Sequence, residues 1–419
     1  MTFGDTISGA FASLWAHKLR TGLTMFGIAW GIVSISLMIA AGEGLREGQK
    51  KTSALFGKDI MIFSAGRTSL QAGGLTAGRR LRWRTTDHLA IQQEATACAI
   101  VIPELGADSV PVRSAFNSAS LPVNGSLPEF AEMRTIPVAE GRFYNYTDER
   151  EARRVAFLGA DAKKQLFAER NAVGETISLG DFPYTIIGVM EFKEQDSSYD
   201  ARDVKKIFIP FATVARDFPE KPPLPPNSID RLIATPKSID DHIECRNQVT
   251  RALARLHRFD PQDTEAAFLW DTIRESAAFA QMANGMKLFL GAMGFVTLFL
   301  GGIGVMNVML VAVRERTREI GVSKAVGATR HMIVRQFVIE TMVIVFTSGF
   351  LGMGLAWLIC SLVNRLPMPM YFAGLIHTWQ MSAVSLAVLG LVAILSALYP
   401  AARAASIDPI EALRYEAGG

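Results

Sequence analysis

Residues 288–313 read LFLGAMGFVTLFLGGIGVMNVMLVAV, a run of apolar and small residues without a charged side chain. A helix needs about 20 such residues to cross the hydrocarbon core of a bilayer. Runs of the same character occupy 21–42, 341–364 and 381–402. The chain of 419 residues is 49% hydrophobic and 20% charged, with a mean hydropathy of +0.22. The sequence therefore predicts four transmembrane helices and argues against a soluble protein.

The chain between the first and second runs has the charge density and the Pro-containing turns of a soluble domain. Strand patterns occur at 154–159, 176–179, 184–189 and 206–210, and helix patterns at 160–167 and 239–259. These patterns indicate an α+β fold. We expect residues 264–286 to form a helix that continues into the second span, the Gly-rich segment 66–78 to be mobile, and the Pro-rich segment 219–226 to be a stiff loop. The fold class is an α-helical membrane protein with a large α+β extracytoplasmic domain inserted between its first two helices.

The distribution of basic residues indicates how the chain is oriented in the membrane. Lys and Arg cluster before the first span, between the second and third, and after the fourth, whereas the loop between the third and fourth contains only Arg365. By the positive-inside rule both termini are cytoplasmic. The predicted spans are 21–42, 286–313, 336–364 and 381–402. The predicted cytoplasmic segments are 1–20, 314–335 and 403–419, and the external segments are 43–285 and 365–380.

The N-terminal segment 1–20 places Phe3, Ile7, Phe11 and Trp15 on one face at helical spacing. This pattern predicts an amphipathic helix that lies along the inner membrane surface or packs in the cytoplasm. A cleavable signal peptide is the alternative for the first span, but the apolar run is longer than the 7–15 residues of a signal peptide core.

Small residues in the first two spans predict close helix packing, which we expect within a dimer. The first span has the spacing GxxxG. The packing residues are Gly27, Gly31, Gly301, Gly302, Gly304 and Asn307.

The outer domain contains no recognisable catalytic constellation, and we expect no catalytic residue and no metal site. The motifs GxSxG, HExxH and the EF-hand loop are absent from the sequence. His242, Cys245 and His257 could share a helix face, but a metal would need further ligands. Cys98 and Cys245 could form a disulfide in an oxidising compartment, although sequence does not show whether they come within reach. Cys360 is predicted to be a small packing residue.

The net charge of +3 does not indicate nucleic-acid binding. The 314–330 loop is more informative and reads RERTREIGVSKAVGATR. It combines apolar residues with charged ones. Taken alone, the loop could be a topological anchor or a contact surface for a cytoplasmic partner.

The motifs around this loop resemble those of the MacB and FtsX superfamily of ABC transporter permeases. The similar stretches are GGIGVMNVML at 301–310, RTREIG at 316–321 and KAVGA at 324–328. Residues 20–28, 140–143 and 399–414 also resemble the family. The long outer domain favours MacB-like or lipoprotein-exporter relatives over FtsX. Segments 66–84 and 219–226 have no family counterpart and could alter partner choice.

The resemblance implies that the loop is a coupling helix in a groove of a cytoplasmic ATPase. Its contact residues would be Arg314, Glu315, Arg316, Arg318, Glu319, Ile320, Val322, Lys324, Ala325 and Gly327. The sequence contains no GxxxxGK[ST] phosphate loop. We therefore expect a separate ATPase chain, which binds ATP and Mg²⁺, and no cofactor in this chain.

The resemblance further implies a bacterial inner-membrane protein that pairs with a second copy or a homologue, and it suggests a periplasmic adaptor and an outer-membrane channel as further partners. Two functions stay open. The first is export or extraction of a substrate such as a peptide, drug or lipoprotein by mechanical transmission. The second is FtsX-like activation of a periplasmic partner, such as a cell-wall hydrolase, without transport. A membrane-anchored enzyme is not supported.

Overall fold

A computed structural model describes residues 18–56, 59–195, 199–219, 224–225, 227–369 and 371–414. The described chain forms two compact units. One comprises Lys50–Phe279, and the other comprises the described residues before and after that range.

The helices are given in chain order, with a numbering used from here on. They are α1 (Lys18–Phe56), α2 (Asp87–Glu94), α3 (Phe130–Met133), α4 (Tyr146–Arg150), α5 (Ala160–Phe167), α6 (Phe211–Asp217), α7 (His242–His257), α8 (Thr272–Glu315), α9 (Thr317–Ala325), α10 (Arg330–Val363), α11 (Trp379–Ser406) and α12 (Pro409–Arg414). The strands are β1 (Met61–Ala65), β2 (Trp83–Arg84), β3 (Cys98–Arg113), β4 (Ser118–Ser126), β5 (Val138–Gly141), β6 (Val155–Leu158), β7 (Thr176–Leu179), β8 (Phe182–Met190), β9 (Ile207–Pro210), β10 (Ser228–Ile229), β11 (Arg231–Pro236) and β12 (Ala267–Asp271).

Within the described residues, four helices are long and apolar enough to cross a membrane, namely α1, α8, α10 and α11. The predicted spans 21–42, 286–313 and 381–402 lie inside α1, α8 and α11, and the span 336–364 ends one residue beyond α10. Side chains from these helices and from α9 form one apolar core. It includes Ile28, Ile32, Leu298, Val305, Ile320, Phe337 and Val392. The predicted fold class is confirmed, with four apolar helices and an α+β domain between the first and second.

The α+β unit is built on a sheet that has ten strands in the described chain. The strand order is β12-β1-β11-β3-β4-β9-β6-β8-β5, with β7 paired to β3 and β8, while β2 and β10 form a separate pair. Most neighbours are antiparallel, but β4–β9 and β6–β8 are parallel. Apolar residues fill two cores. One contains Trp83, Phe167, Tyr184 and Leu232, and the other contains Phe130, Phe157 and Phe208.

Several local predictions for this domain are confirmed. The predicted strand at 154–159 is β6, the helix at 160–167 is α5, and the short strand at 206–210 is β9. The predicted hairpin is β7–β8, although β8 begins at Phe182 because the turn is short and Gly180 takes a positive φ of 59°. The predicted helix 239–259 is shorter and forms α7.

The predicted helix over 264–286 is wrong in its first part. Residues Ala267–Asp271 form β12, which pairs antiparallel with β1, and the helix begins at Thr272. Pairing with a strand about 200 residues earlier overrides the local helical pattern. The Thr272 hydroxyl donates a hydrogen bond to Ile60 O at 2.8 Å, which marks the change from strand to helix.

The Gly-rich segment 66–78, for which we predict mobility, is hydrogen-bonded to neighbouring chain at its start. Gly66 N donates to Ala266 O at 3.0 Å and Arg67 N to Glu265 O at 3.1 Å. The carboxylate of Asp263 accepts hydrogen bonds from the backbone N–H groups of Ser69 and Leu70 at 2.7 and 2.9 Å. These bonds anchor the start of the segment to the chain before β12.

Cys98 and Cys245 form a disulfide, with their Cα atoms 4.9 Å apart. This answers the question that sequence left open, because the separation lies in the range that a disulfide requires. His242 and His257 instead contact separate carboxylates, those of Asp271 and Asp87, each at 2.7 Å.

Cys360 is buried beside Ala40, as expected for a packing residue. Two other predictions cannot be compared with the structure. The amphipathic helix in 1–20 falls almost entirely outside the described residues, as does most of the Pro-rich loop 219–226.

Candidate functional site

The short helix α9 lies between two long apolar helices. It follows α8 after a break at Arg316, where φ is −98° and ψ is 14°. The Thr317 hydroxyl donates to the carbonyl oxygens of Val313 and Arg314 at 3.1 and 2.8 Å, and so binds two carbonyls at the end of α8. The break makes α9 a separate element attached directly to α8.

Gly327 ends α9 and has a φ of +105°, which favours glycine. Gly327 N donates to Lys324 O at 3.1 Å and Ala328 N to Ser323 O at 3.0 Å. This pair of bonds is a Schellman motif. Thr329 then caps α10 by accepting a hydrogen bond from Met332 N. The KAVGA stretch therefore specifies a sharp, hydrogen-bonded turn between α9 and α10.

One face of α9 packs inside the unit. Ile320 is 5% exposed and belongs to the apolar core. A Cβ placed on Gly321 would lie 2.4 Å from Ala412 Cβ, so only glycine permits this approach of α9 to α12. The C-terminal stretch 399–414 and the loop motif are thus in contact.

Two of the charged residues predicted to meet a partner are engaged inside the chain. Arg316 Nη1 lies 3.3 Å from both carboxylate oxygens of Glu340, a buried residue of α10. Lys324 Nζ donates to Ala405 O and Ile407 O, each at 2.7 Å. These contacts bind α9 to α10 and to the end of α11.

The other face of α9 is exposed. Val322 is 46% exposed and Val326, in the turn that follows, is 85% exposed. The remaining predicted contact residues Arg314, Glu315, Arg318, Glu319 and Ala325 are also exposed, as is Gly327. The predicted set therefore separates into a group that contacts the rest of the chain and positions the helix, and an exposed group that a partner could reach.

Sequence reasoning missed Glu340 and Ala412, which hold α9 in place. The signal for Glu340 was present, because it is the single carboxylate in the apolar stretch that follows Arg335. An acidic group in such a stretch requires a partner. Nothing in the residue type of Ala412 pointed to its contact with Gly321.

The predicted packing glycines lie at contacts between α1, α8 and α11 of one chain. A Cβ on Gly31 would lie 3.3 Å from Leu298 Cα, and one on Gly301 would lie 3.6 Å from the backbone of Gly27. A Cβ on Gly302 would meet Val392 of α11 at 2.6 Å, and one on Gly304 would be 4.0 Å from Thr24. Asn307 is exposed.

Two family descriptions match the chain. Residues 21–252 match the MacB-like periplasmic core domain, and residues 291–409 match the FtsX-like permease C-terminal region. The chain belongs to the MacB/FtsX family of permeases. Membership in this family, with the four apolar helices, fits a multi-pass protein of the inner membrane.

Named relatives extend the likeness over nearly the whole chain. The pyoverdine export ATP-binding/permease protein PvdT of Pseudomonas putida is 30% identical over 98% of this chain and 60% of its own length. The macrolide export ATP-binding/permease protein MacB of Shewanella sp. strain ANA-3 is 31% identical over 99% of this chain and 61% of its own. The chain therefore spans about three fifths of these relatives.

Among solved structures, the periplasmic region of MacB from Actinobacillus actinomycetemcomitans is 16% identical and covers 54% of this chain, with a TM-score of 0.42. The alignment includes 94% of that domain.

Proposed function

We propose that this chain is the permease of an ABC exporter and that α9 receives the force of ATP hydrolysis. The observation that carries the proposal is the division of α9 into two faces. One face is fixed by Arg316, Lys324 and Gly321, whereas the opposite side exposes Val322 and Val326. Exposed valines on a firmly held helix are suited to docking in an apolar groove of a partner.

The contacts of α9 provide a route for movement. The helix is joined to α8 through the Thr317 hydrogen bonds and to α10 through the Arg316–Glu340 pair. Lys324 joins it to the end of α11. A push on α9 would therefore reach three apolar helices together, and α8 is one continuous helix that begins directly after β12. Movement would be transmitted to the outer domain by mechanical coupling.

The proposed partner at α9 is a cytoplasmic ABC ATPase that binds ATP and Mg²⁺. No phosphate-loop motif occurs in these 419 residues. The orientation inferred from basic residues places both termini and α9 in the cytoplasm and 43–285 in the periplasm. Four helices are few to enclose a transport path, so we propose a dimer with a second copy or a homologue.

Export is the proposed activity, with a peptide, drug or lipoprotein as the kind of substrate and with an adaptor and an outer-membrane channel as further partners. Relatives named for the export of pyoverdine and of macrolides support this choice. The names of these relatives do not favour the alternative of an FtsX-like regulator.

The coupling role is tested with Val326→Asp, because a carboxylate at a dry interface is strongly unfavourable. The exposed position predicts normal insertion and unfolding temperature. The variant chain should lose co-purification of the ABC ATPase and substrate-responsive ATP turnover in proteoliposomes. Ile239→Asp, at an exposed site of the outer domain, is the matched control. Wild-type association and turnover in Val326→Asp would refute the coupling role.

The orientation needs its own test. A reporter enzyme fused after Gly419 should be active in the cytoplasm, and one inserted at Asp181, in the β7–β8 turn, should be active outside. The reverse pattern would overturn the placement of α9 and the ATPase on the same side.

A further inference from the structure

A row of arginines follows the Gly-rich segment. Leu81 and Trp83 are buried, at 4% and 0% exposure. Since side chains alternate along extended chain, the intervening Arg80, Arg82 and Arg84 lie on the opposite side. Arg80 and Arg84 are exposed, and Arg82 is half-buried.

The backbone of this row is held on both sides by neighbouring chain. Leu81 N donates to Gly66 O at 2.9 Å, and Arg67 and Arg80 form an isolated antiparallel bridge. Strand β2 pairs with β10, with Arg84 opposite Ser228. The Trp83 indole N–H donates a hydrogen bond to Phe63 O at 2.9 Å, which fixes the backbone of the row on its buried side. The arginines therefore project from a fixed backbone.

The row lines a groove of about 720 Å³. Five arginines contribute to its surface: Arg79, Arg80, Arg82, Arg84 and Arg258. Leu75, Leu224 and Leu256 provide an apolar part of the wall. The groove thus combines concentrated positive charge with apolar surface.

Nearby carboxylates compensate these arginines only in part. In the described part of the chain, no Asp or Glu lines the groove, and Arg80, Arg82 and Arg84 form no ion pair. Asp87 accepts from Arg84 N at 2.7 Å, but its carboxylate also contacts His257 at 2.7 Å. Asp230 attracts Arg82 without forming an ion pair with it, and its Oδ2 accepts a hydrogen bond from Gly106 N.

Hydrogen-bond donors in the groove are also unused. The Nε atoms of Arg79 and Arg82 are buried and have no acceptor among the described residues. A buried donor without a partner carries an energetic cost.

We propose that this groove binds an extended acidic segment of a protein partner. Alternate side chains of a strand repeat every ~6.6 Å, so carboxylates at alternate positions of an extended peptide match Arg80, Arg82 and Arg84. Each guanidinium can bind a carboxylate through two hydrogen bonds. The residues between the carboxylates would contact the apolar wall.

Two other anions match the groove less well. A single inorganic phosphate engages one or two guanidinium groups and leaves the others uncompensated. The flat surface of an anionic bilayer does not enter a groove. The proposal concerns a partner outside the membrane and does not depend on the coupling role of α9.

The test uses the full chain in nanodiscs of neutral lipid and a fluorescent peptide with glutamates at alternate positions. A peptide of the same composition with contiguous glutamates is the register control. We expect salt-sensitive binding of the first peptide and much weaker binding of the second. The Arg80→Gln/Arg82→Gln/Arg84→Gln variant should weaken binding by roughly ten- to a hundredfold, because it removes charge-assisted hydrogen bonds.

The matched control is Arg113→Gln/Arg150→Gln/Arg202→Gln, which removes the same charge from other exposed sites of the domain. It should bind the alternating peptide as the wild type does. Equal loss in both triple variants would overturn the proposal, as would equal affinity for the two peptides. Binding to phosphatidylglycerol vesicles that requires the Arg80 row, without peptide binding, would replace it with a membrane contact. Displacement of the peptide by inorganic phosphate as effectively as by unlabelled peptide would also refute it.

Discussion

Lys324 Nζ donates a hydrogen bond of 2.7 Å to the carbonyl oxygen of Ile407, just beyond the end of α11. The same ammonium group donates to Ala405 O, also at 2.7 Å. The last carbonyls of a helix lack partners within the helix, and a cation there is favourable. Lys324 therefore supports the junction of α9, α11 and α12 from inside the chain.

Lys324→Met keeps the apolar stem but removes this donor. We expect α12 to loosen, because two carbonyls lose a charged partner and each such bond contributes about 1.5–3 kcal/mol. Hydrogen exchange measured by mass spectrometry should be faster in residues 409–414. The exposed Lys205→Met is the control. Unchanged exchange in α12 would show that Lys324 does not hold it.

The hydrogen-bond partners of Lys324 could not be predicted from the sequence. A lysine in a charged loop suggests a carboxylate partner, whereas here the acceptors are backbone carbonyls, which no residue type reveals. The four spans were predictable because apolar length follows directly from bilayer thickness. Strand β12 was not, since its stability comes from pairing with Met61–Ala65 across a long sequence separation. The division of α9 into held and exposed faces likewise required the positions of Glu340 and Ala412.

The Cys98–Cys245 disulfide joins β3 to α7 across 147 residues. A cross-link over a long loop stabilises a domain by about 2–5 kcal/mol, chiefly by restricting the unfolded chain. Reduction should therefore lower the unfolding temperature of the outer domain. Tryptophan fluorescence of the full chain measures this transition. Cys98→Ser/Cys245→Ser should no longer respond to reductant, and Cys360→Ser should respond as the wild type does. A wild-type transition insensitive to complete reduction would contradict a stabilising role.

The contacts of Asp217 predict how the stability of the outer domain depends on pH in the acidic range. Burial raises the pKa of this carboxyl, but hydrogen bonds from two arginines and a tyrosine outweigh burial and hold the pKa well below its usual range; they come from Arg154, Arg216 and Tyr184. A lowered folded pKa gives stability that is present above the unfolded pKa of about 3.9 and is lost as the pH falls through the folded value.

Asp217→Asn removes this titration. We expect the variant to be less stable by roughly 2 kcal/mol at neutral pH, since it loses charge-assisted hydrogen bonds. The difference from wild type should stay constant above about pH 5 and shrink below about pH 4. Urea unfolding of the full chain between pH values of about 2 and 7 measures this difference in stability. A difference that stays unchanged down to about pH 2 would contradict the assignment.

Gly302 and Gly27 form a matched pair of substitutions. A Cβ on Gly302 would lie 2.6 Å from Val392 Cγ1 and 2.7 Å from Ser396 Oγ, whereas one on Gly27 meets no described atom within 4 Å. Gly302→Ala should cost about 1–3 kcal/mol through overpacking, and Gly27→Ala should be nearly neutral. Thermal unfolding in one detergent compares them. A larger loss for Gly27→Ala would mean that its open side is covered by another molecule.

The pair formed by Arg316 and the buried Glu340 allows the contacts that hold α9 to be tested separately from its docking surface. Glu340 lies 3.3 Å from Arg316 Nη1 and from Gln336 Nε2, and is 6% exposed. Arg316→Met leaves a buried carboxylate without its counter-charge, which costs about 3–5 kcal/mol. Replacing both residues, in Arg316→Met/Glu340→Met, removes the uncompensated charge and should recover most of that loss.

The measurement is a double-mutant cycle on the unfolding of the chain without an ATPase, followed by ATP turnover of the complex. If the pair positions α9, the double variant should fold stably and bind the ATPase through Val322 and Val326, but substrate should stimulate turnover less, because α9 is joined less firmly to α10. Additive losses in the cycle would show that the two residues do not act as a pair. Full substrate stimulation in the double variant would show that the Arg316–Glu340 contact stabilises the fold without transmitting movement.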